Sequence, residues 1–284
     1  MTSSVIEAYK TQKNMDKCGV HWFKFDEVSG NVLDSKGTAI GTVTGATRVV
    51  GISGNALSFD GVDDFVQFNN AVIPNGKKSI RLKIKSQSKP SSTTHVLNNQ
   101  NGATNQAGIR IVVLNSGKLA FTMANGTNYL FSDTPTSITD VCDGQWHDIL
   151  ITYDGTTNVN GVKLYVDNMS VAEYKTTATY LDSSVGSLNL LLGKKSDNTS
   201  FFNGQIDELE IYNDVIDLSP IKRIFIKSDA SYVYFDATTS EWKPVGTSPS
   251  DEDWLNKGVD VVTQEQLEKL SQQDITGRFA VKRL

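Results

Sequence analysis

Asp143-Gly144-Gln145-Trp146-His147-Asp148-Ile149-Leu150-Ile151-Thr152-Tyr153-Asp154-Gly155, continued through Asn160-Gly161 into Val162-Lys163-Leu164-Tyr165-Val166-Asp167, is the stretch that decides the fold. Residues 147–153 and 162–166 are dominated by β-branched, aliphatic and aromatic side chains, which suit a pleated, half-buried surface. Asp154-Gly155 and Asn160-Gly161 interrupt them where glycine and asparagine supply the positive φ that a turn needs. Two strands closed into a hairpin follow from that order. Trp146 brings a large apolar surface to the point where the Asp143-Gly144 turn enters the first strand.

The same grammar repeats on both sides. His21, Phe23 and Phe25 alternate with Trp22, Lys24 and Asp26, the period of a strand. Strand-like runs recur at 56–59, 65–68, 79–85, 109–114, 119–123, 187–192 and 205–212, with turn residues such as Asn115-Ser116-Gly117 and Asn203-Gly204 between them. No long helical pattern occurs before residue 213. Many short strands with alternating faces predict an all-β fold of two packed antiparallel sheets.

Composition narrows the classes. A formal charge of −5 with no basic run lacks the electrostatic footprint that nucleic acid requires. The longest apolar stretches, such as 188–192, are far too short to span a bilayer. The N-terminus shows no basic segment followed by an apolar core, so no signal peptide is expected. Cys18 and Cys142 are too few for a disulfide framework or a zinc site. They form either one bridge or two buried thiols.

Three regions are expected. Residues 1–17 read as an arm or short helix, and 18–217 as the sandwich. Residues 218–284 read as a small module: a β-meander ending at Pro244-Val245-Gly246, a polar linker, then a helix. Thr263-Gln264-Glu265-Gln266 has the form of a capping box for that helix, and Leu267 and Leu270 give it a narrow apolar stripe. So little apolar material predicts docking or self-association rather than independent stability.

Four segments together resemble the laminin-G-like family of concanavalin A-like jelly rolls. They are Trp22-Phe23-Lys24-Phe25-Asp26-Glu27 with Asp34-Ser35-Lys36-Gly37; 56–66 around Phe59-Asp60-Gly61-Val62-Asp63-Asp64; the 143–167 stretch; and Phe202-Asn203-Gly204-Gln205-Ile206-Asp207-Glu208-Leu209-Glu210-Ile211-Tyr212. They stand in the family's order over about residues 18–215. The resemblance implies a two-sheet antiparallel jelly-roll sandwich in which the strands of Trp22 and Ile206 lie side by side. It also implies a structural calcium ion, with Asp60 or Asp63 the first-choice ligand and Asp64 and Asp207 further candidates. Calcium suits a loop there because it accepts six to eight oxygens in loose geometry.

The family's glucanases carry catalytic carboxylates at alternate positions of one strand. Here Glu208 and Glu210 share a face by strand alternation, Asp207 faces away, and the third carboxylate is missing. The expectation is a solvated outer face and no enzyme. His21, His95 and His147 are scattered and read as sheet-face or core residues.

Sugar recognition wants aromatic platforms and polar groups for hydroxyls. Asn98 and Asn99 in the 91–105 loop, with Tyr129, Tyr180 and Phe201, are the candidate ligand-binding residues. The arm from Tyr9 to Asp16 and the runs 224–227, 232–236 and 242–246 resemble parts of phage and prophage tail proteins. The function expected is a carbohydrate-binding or adhesion subunit of such a tail, meeting a cell-surface glycan. The expected location is the virion, or the bacterial cytoplasm before lysis. A structural tail protein without sugar binding, or a glycoside hydrolase, are the alternatives.

Overall fold

A computed structural model describes residues 11–12, 14–69, 71–100, 107–126, 129–134, 140–169, 171–178, 188–218, 224–225, 232–236, 241–246 and 260–261. In chain order the strands are β1 (Gly19–Phe23), β2 (Val32–Leu33), β3 (Ile40–Thr44), β4 (Thr47–Val50), β5 (Asn55–Asp60), β6 (Phe65–Phe68) and β7 (Lys78–Lys85). Then come β8 (Thr94–Asn98), β9 (Gly108–Val113), β10 (Leu119–Ala124), β11 (Tyr129–Asp133), β12 (Trp146–Tyr153) and β13 (Val162–Val166). Next are β14 (Lys175–Ala178), β15 (Leu191–Leu192) and β16 (Asn203–Tyr212). Short pieces follow as β17 (Ile224–Phe225), β18 (Tyr232–Asp236), β19 (Glu241–Gly246) and β20 (Asp260–Val261).

Two sheets make the sandwich, and every strand pair within them is antiparallel. One runs β13-β12-β7-β16-β5-β4, with β1 added along β16. The other runs β14-β11-β10-β9-β8-β15-β6-β3-β2. The 143–167 stretch forms the β12–β13 hairpin, with Ile149 opposite Val166 and Tyr153 opposite Val162. As expected, the Trp22 and Ile206 strands are neighbours: Trp22 faces Glu210 and Phe23 faces Leu209. This pairing ties the sequence ends of the sandwich together and removes two free edges.

One core lies between the sheets. Phe23, Leu57, Phe59, Ile80, Leu82, Ile84, Ile149, Ile151, Ile206, Leu209 and Ile211 come from the first sheet. Val66, Phe68, Val96, Leu97, Ile109, Ile111, Phe121, Met123 and Leu192 meet them from the second. Alternation within each strand supplies these residues, as in Ile109-Arg110-Ile111 and Phe121-Thr122-Met123. Phe23 and Phe68 pack tilted with ring centroids 4.5 Å apart, an aromatic contact across the two sheets.

Polar side chains fix the turns. Asp34 accepts hydrogen bonds from the Trp22, Lys36 and Ala39 amides and from His21 Nδ1. His147 is buried and lies between Asp143 and Asp167, 3.0 Å and 2.9 Å away, which holds the start of β12 against the end of β13. Cys18 and Cys142 are both buried and are not bridged to each other.

Lys17–Ile216 forms one compact unit, and Met1–Asp16 with Asp217–Leu284 a second. In the second unit residues 11–12 and 14–16 are helical, β18 and β19 form an antiparallel hairpin, and β17 pairs with β20 in parallel. The helix expected from Thr263 lies outside the described residues. Among the described residues no helix is long and apolar enough to cross a membrane.

Candidate functional site

The second sheet carries polar groups that the fold itself leaves unused. Backbone register sets one row of residues directly opposite one another across six strands. Gln67 of β6 faces Leu191 of β15, which faces Asn98 of β8, which faces Arg110 of β9. Arg110 in turn faces Thr122 of β10, and Thr122 faces Phe131 of β11. The flanking residues Ile109, Ile111, Phe121, Met123 and Leu130 point into the core, so this row occupies the opposite face. His95 lies in the next row, opposite Val112, diagonal to Arg110.

Polar residues in and beside this row are deeply buried. His95, Asn99, Gln100 and Thr122 are each at most 4% exposed. Yet both ring nitrogens of His95, Asn99 Nδ2, Gln100 Oε1, Arg110 Nε and Thr122 Oγ1 are sealed from solvent with no hydrogen-bond partner among the described residues. Buried polar atoms are normally paired, and each orphan costs roughly 1–3 kcal/mol. Burial, then the Arg110 and Lys195 charges, hold the His95 imidazole down at about 4, so it is neutral at pH 7. Burial also lowers the Arg110 guanidinium. Arg110 and Phe131 are only partly buried and give the row its opening to solvent.

The sequence candidates are distributed unevenly around it. Asn98 sits in the row, but its side chain is occupied, accepting from the Gln100 amide and donating to the Gln100 carbonyl, both at 3.2 Å. Asn99 Oδ1 accepts the Ile109 amide at 2.6 Å, which leaves its Nδ2 unused. Gly108 allows this fold-back: its φ is +136° and a Cβ there would lie 2.8 Å from Asn99 Oδ1. Tyr129 begins β11, opposite Ala124. Phe201 is half-buried beside Ser200, whose carbonyl accepts the His95 amide at 3.0 Å. Tyr180 lies outside the described residues. Arg110, Thr122 and His95 are not among the candidates read from the sequence. Each looks like an ordinary alternate position until register brings them together.

The acidic loop is a separate feature. Asp60, Asp63 and Asp64 stand between β5 and β6 with one carboxylate oxygen of each within 4.8 Å of the others. Asp60 Oδ1 accepts the Val62 amide at 2.8 Å and Asp64 Oδ2 accepts the Asp60 amide at 2.8 Å. Burial, with the charges of Asp60 and Asp63, raises the Asp64 carboxyl, although the Asp60 amide bond opposes this. A hard cation fits the oxygen donors that remain. Asp207 is not part of this group. Asn203, not Asp207, is the residue opposite Asp60, and four residues of strand span about 13 Å.

Asp207 instead accepts the Ile52, Ser53 and Glu208 amides and pins the turn before β5. Gly51 is required there, because a Cβ would meet Asp207 Oδ2 at 2.4 Å. Glu208 and Glu210 also depart from expectation, since both are buried rather than solvated. A bulge in β16 sets the faces: Asp207 faces Lys83 and Glu210 faces Arg81, so two residues oppose one, with Glu208 at φ +48°; Ile206, Leu209 and Ile211 enter the core, while Glu210 lies on the opposite face and is covered there. Burial raises Asp207 to about 7 and Glu208 to about 8. Trp22 Nε1 donates to Glu208 at 2.6 Å and the Tyr212 hydroxyl donates to Glu210. All three carboxyls are therefore engaged by their own surroundings.

Fold and polar row together define a lectin-type β-sandwich. The family model described as the concanavalin A-like lectin/glucanases superfamily, in its laminin-G branch, matches residues 60–222, and the chain belongs to that family. Among solved structures the chain is similar to domain 4 of a GH43 extracellular arabinanase from Geobacillus stearothermophilus in complex with arabinotriose. That match has 20% identity and a TM-score of 0.50, covering 70% of this chain and 94% of that one. The binding domain of Paraclostridial Mosquitocidal Protein 1 matches at 14% identity and a TM-score of 0.55, over 81% of this chain and 64% of that one. The botulinum neurotoxin serotype D binding domain matches at 12% identity and a TM-score of 0.53, over 77% and 62%. This chain thus spans less than two thirds of either toxin domain. No curated protein matches the sequence.

Proposed function

We propose that this protein is a carbohydrate-binding adhesion subunit that takes a cell-surface glycan on the outer face of its second sheet. The observation that carries the reading is the row Asn98–Arg110–Thr122–Phe131, open to solvent at Arg110 and Phe131, with polar atoms of His95, Asn99, Gln100, Arg110 and Thr122 around it that have no partner among the described residues. Sugar hydroxyls both donate and accept, which matches this mixed set. Phe131, beside Thr122 in the row, offers an aromatic face for a pyranose ring. The likeness to a domain solved with arabinotriose supports the same class of ligand. The role is binding without catalysis, since Asp207, Glu208 and Glu210 are all held by internal hydrogen bonds.

The setting we propose is a phage or prophage tail, in the virion or in the host cytoplasm before lysis. Its support is the resemblance of the arm around Tyr9 to Asp16 and of the 224–246 runs to tail-protein segments. In that setting the second unit mounts the protein on other tail proteins or on copies of itself. A calcium ion held by Asp60 and Asp63, with Asp64 beneath them, would supply positive charge to a crowded acidic loop and brace the crossing between the sheets. A glycan array probed with the full chain tests the function. Binding to a defined set of glycans is expected, and a blank array on freshly folded protein contradicts it.

A further inference from the structure

Most of the unpartnered atoms in the row are neutral, and a neutral sugar would serve them. Arg110 is different. Its Nε is sealed from solvent, and among the described residues no carboxylate pairs with it. The other arginines of the sandwich are matched: Arg81 is bound by Asp148, and Arg48 by Glu27. Sheet geometry places Arg110 between Asn98 and Thr122, neither of which carries charge. The diagonal neighbour His95 is neutral at pH 7 and offers no compensation. Water reaches part of this guanidinium, and an anion at the same opening would both complete its hydrogen bonds and balance its charge.

We propose that the row selects an acidic sugar, one carrying a carboxylate or phosphate group that seats against Arg110 where the row opens to solvent. This rests on the carbohydrate reading above and narrows it. The planar fork of a guanidinium suits either anion in a two-point contact. Phe131, on the far side of Thr122 from Arg110, is placed to carry the ring.

The test is titration calorimetry of the full chain against matched pairs differing only in the acid group. Tetragalacturonate is set against tetragalactose, sialyllactose against its methyl ester, and galactose 6-phosphate against galactose. The acidic member of at least one pair should bind about tenfold or more tightly, with affinity falling as salt rises. The pair that responds tells carboxylate from phosphate. Arg110→Gln should bring the two members together, and Arg110→Lys should retain part of the preference, with melting curves showing that both variants fold. Equal binding of acid and neutral members by the wild-type protein overturns this inference and leaves the carbohydrate reading standing. So does a preference that survives Arg110→Gln. Absence of binding to every saccharide overturns both readings.

Discussion

Thr122→Val is the substitution that separates a ligand site from ordinary sheet structure. Thr122 is 1% exposed and its hydroxyl has no partner among the described residues, while its neighbours Phe121 and Met123 face the core. Valine has nearly the same shape and suits a strand equally well, so packing is preserved. An unsatisfied buried hydroxyl costs roughly 1–3 kcal/mol, and its removal should stabilise the folded protein by about 1 kcal/mol. For a domain of this size that raises the melting temperature by about 2–4 °C. Affinity for the glycan should change by less than about threefold, because a hydroxyl sealed from solvent makes no direct bond to the ligand. Urea denaturation and calorimetric titration of the same preparation read both numbers. A variant destabilised by about 1 kcal/mol or more would refute the reasoning, because the hydroxyl would then be serving the fold.

Other substitutions test the frame around the site. Asp34 is held at about 2 against a usual 3.8 by its hydrogen bonds from His21 and from backbone amides, which outweigh the burial that raises it. Its contribution is full above the unfolded value and lost as pH falls toward 2. Asp34→Asn should therefore cost about 2 kcal/mol at pH 7 and flatten the acid limb in urea melts between pH 5 and 2. His147 is raised overall: burial lowers it, and Asp167 and Asp143 outweigh that. Its contribution is complete below about pH 6.5 and fades as pH rises through the folded value. The stability lost between pH 6 and 9 should accordingly be smaller in His147→Asn than in the wild type. Calcium at about a hundred times its dissociation constant should stabilise the protein by about 2.7 kcal/mol. Asp63→Asn should reduce that gain, and superimposed wild-type melting curves with calcium and with chelator would remove the metal.

The sandwich was legible because its signals are local. Asp154-Gly155 and Asn160-Gly161 mark turns on their own, and alternation in runs such as Ile109-Arg110-Ile111 marks a core face. What failed was whatever depends on register. One extra residue in β16 lets Ile206, Leu209 and Ile211 all face the core, while Glu210 keeps the opposite face but is buried there, and Asp207 goes to the Gly51 turn. Asp60, Asp63 and Asp64 are close in sequence and close in space, whereas Asp207 joined them only by resemblance. Asn99 was visible as a polar residue in a loop. Arg110, Thr122 and His95 were not visible as a group, because three strands must pair before they face one another. A lone arginine between two isoleucines is a weak signal, but it was the one available.

The central claim is that glycan binds across β8 to β11. Backbone amide shifts of the isotope-labelled full chain, followed through a titration with the glycan that the array selects, test it most directly. The largest changes should cluster at Asn99, Arg110, Thr122 and Phe131 and saturate together. Changes centred instead on the Asp60–Asp64 loop, or on Trp22 and Glu210 of the other sheet, would contradict it.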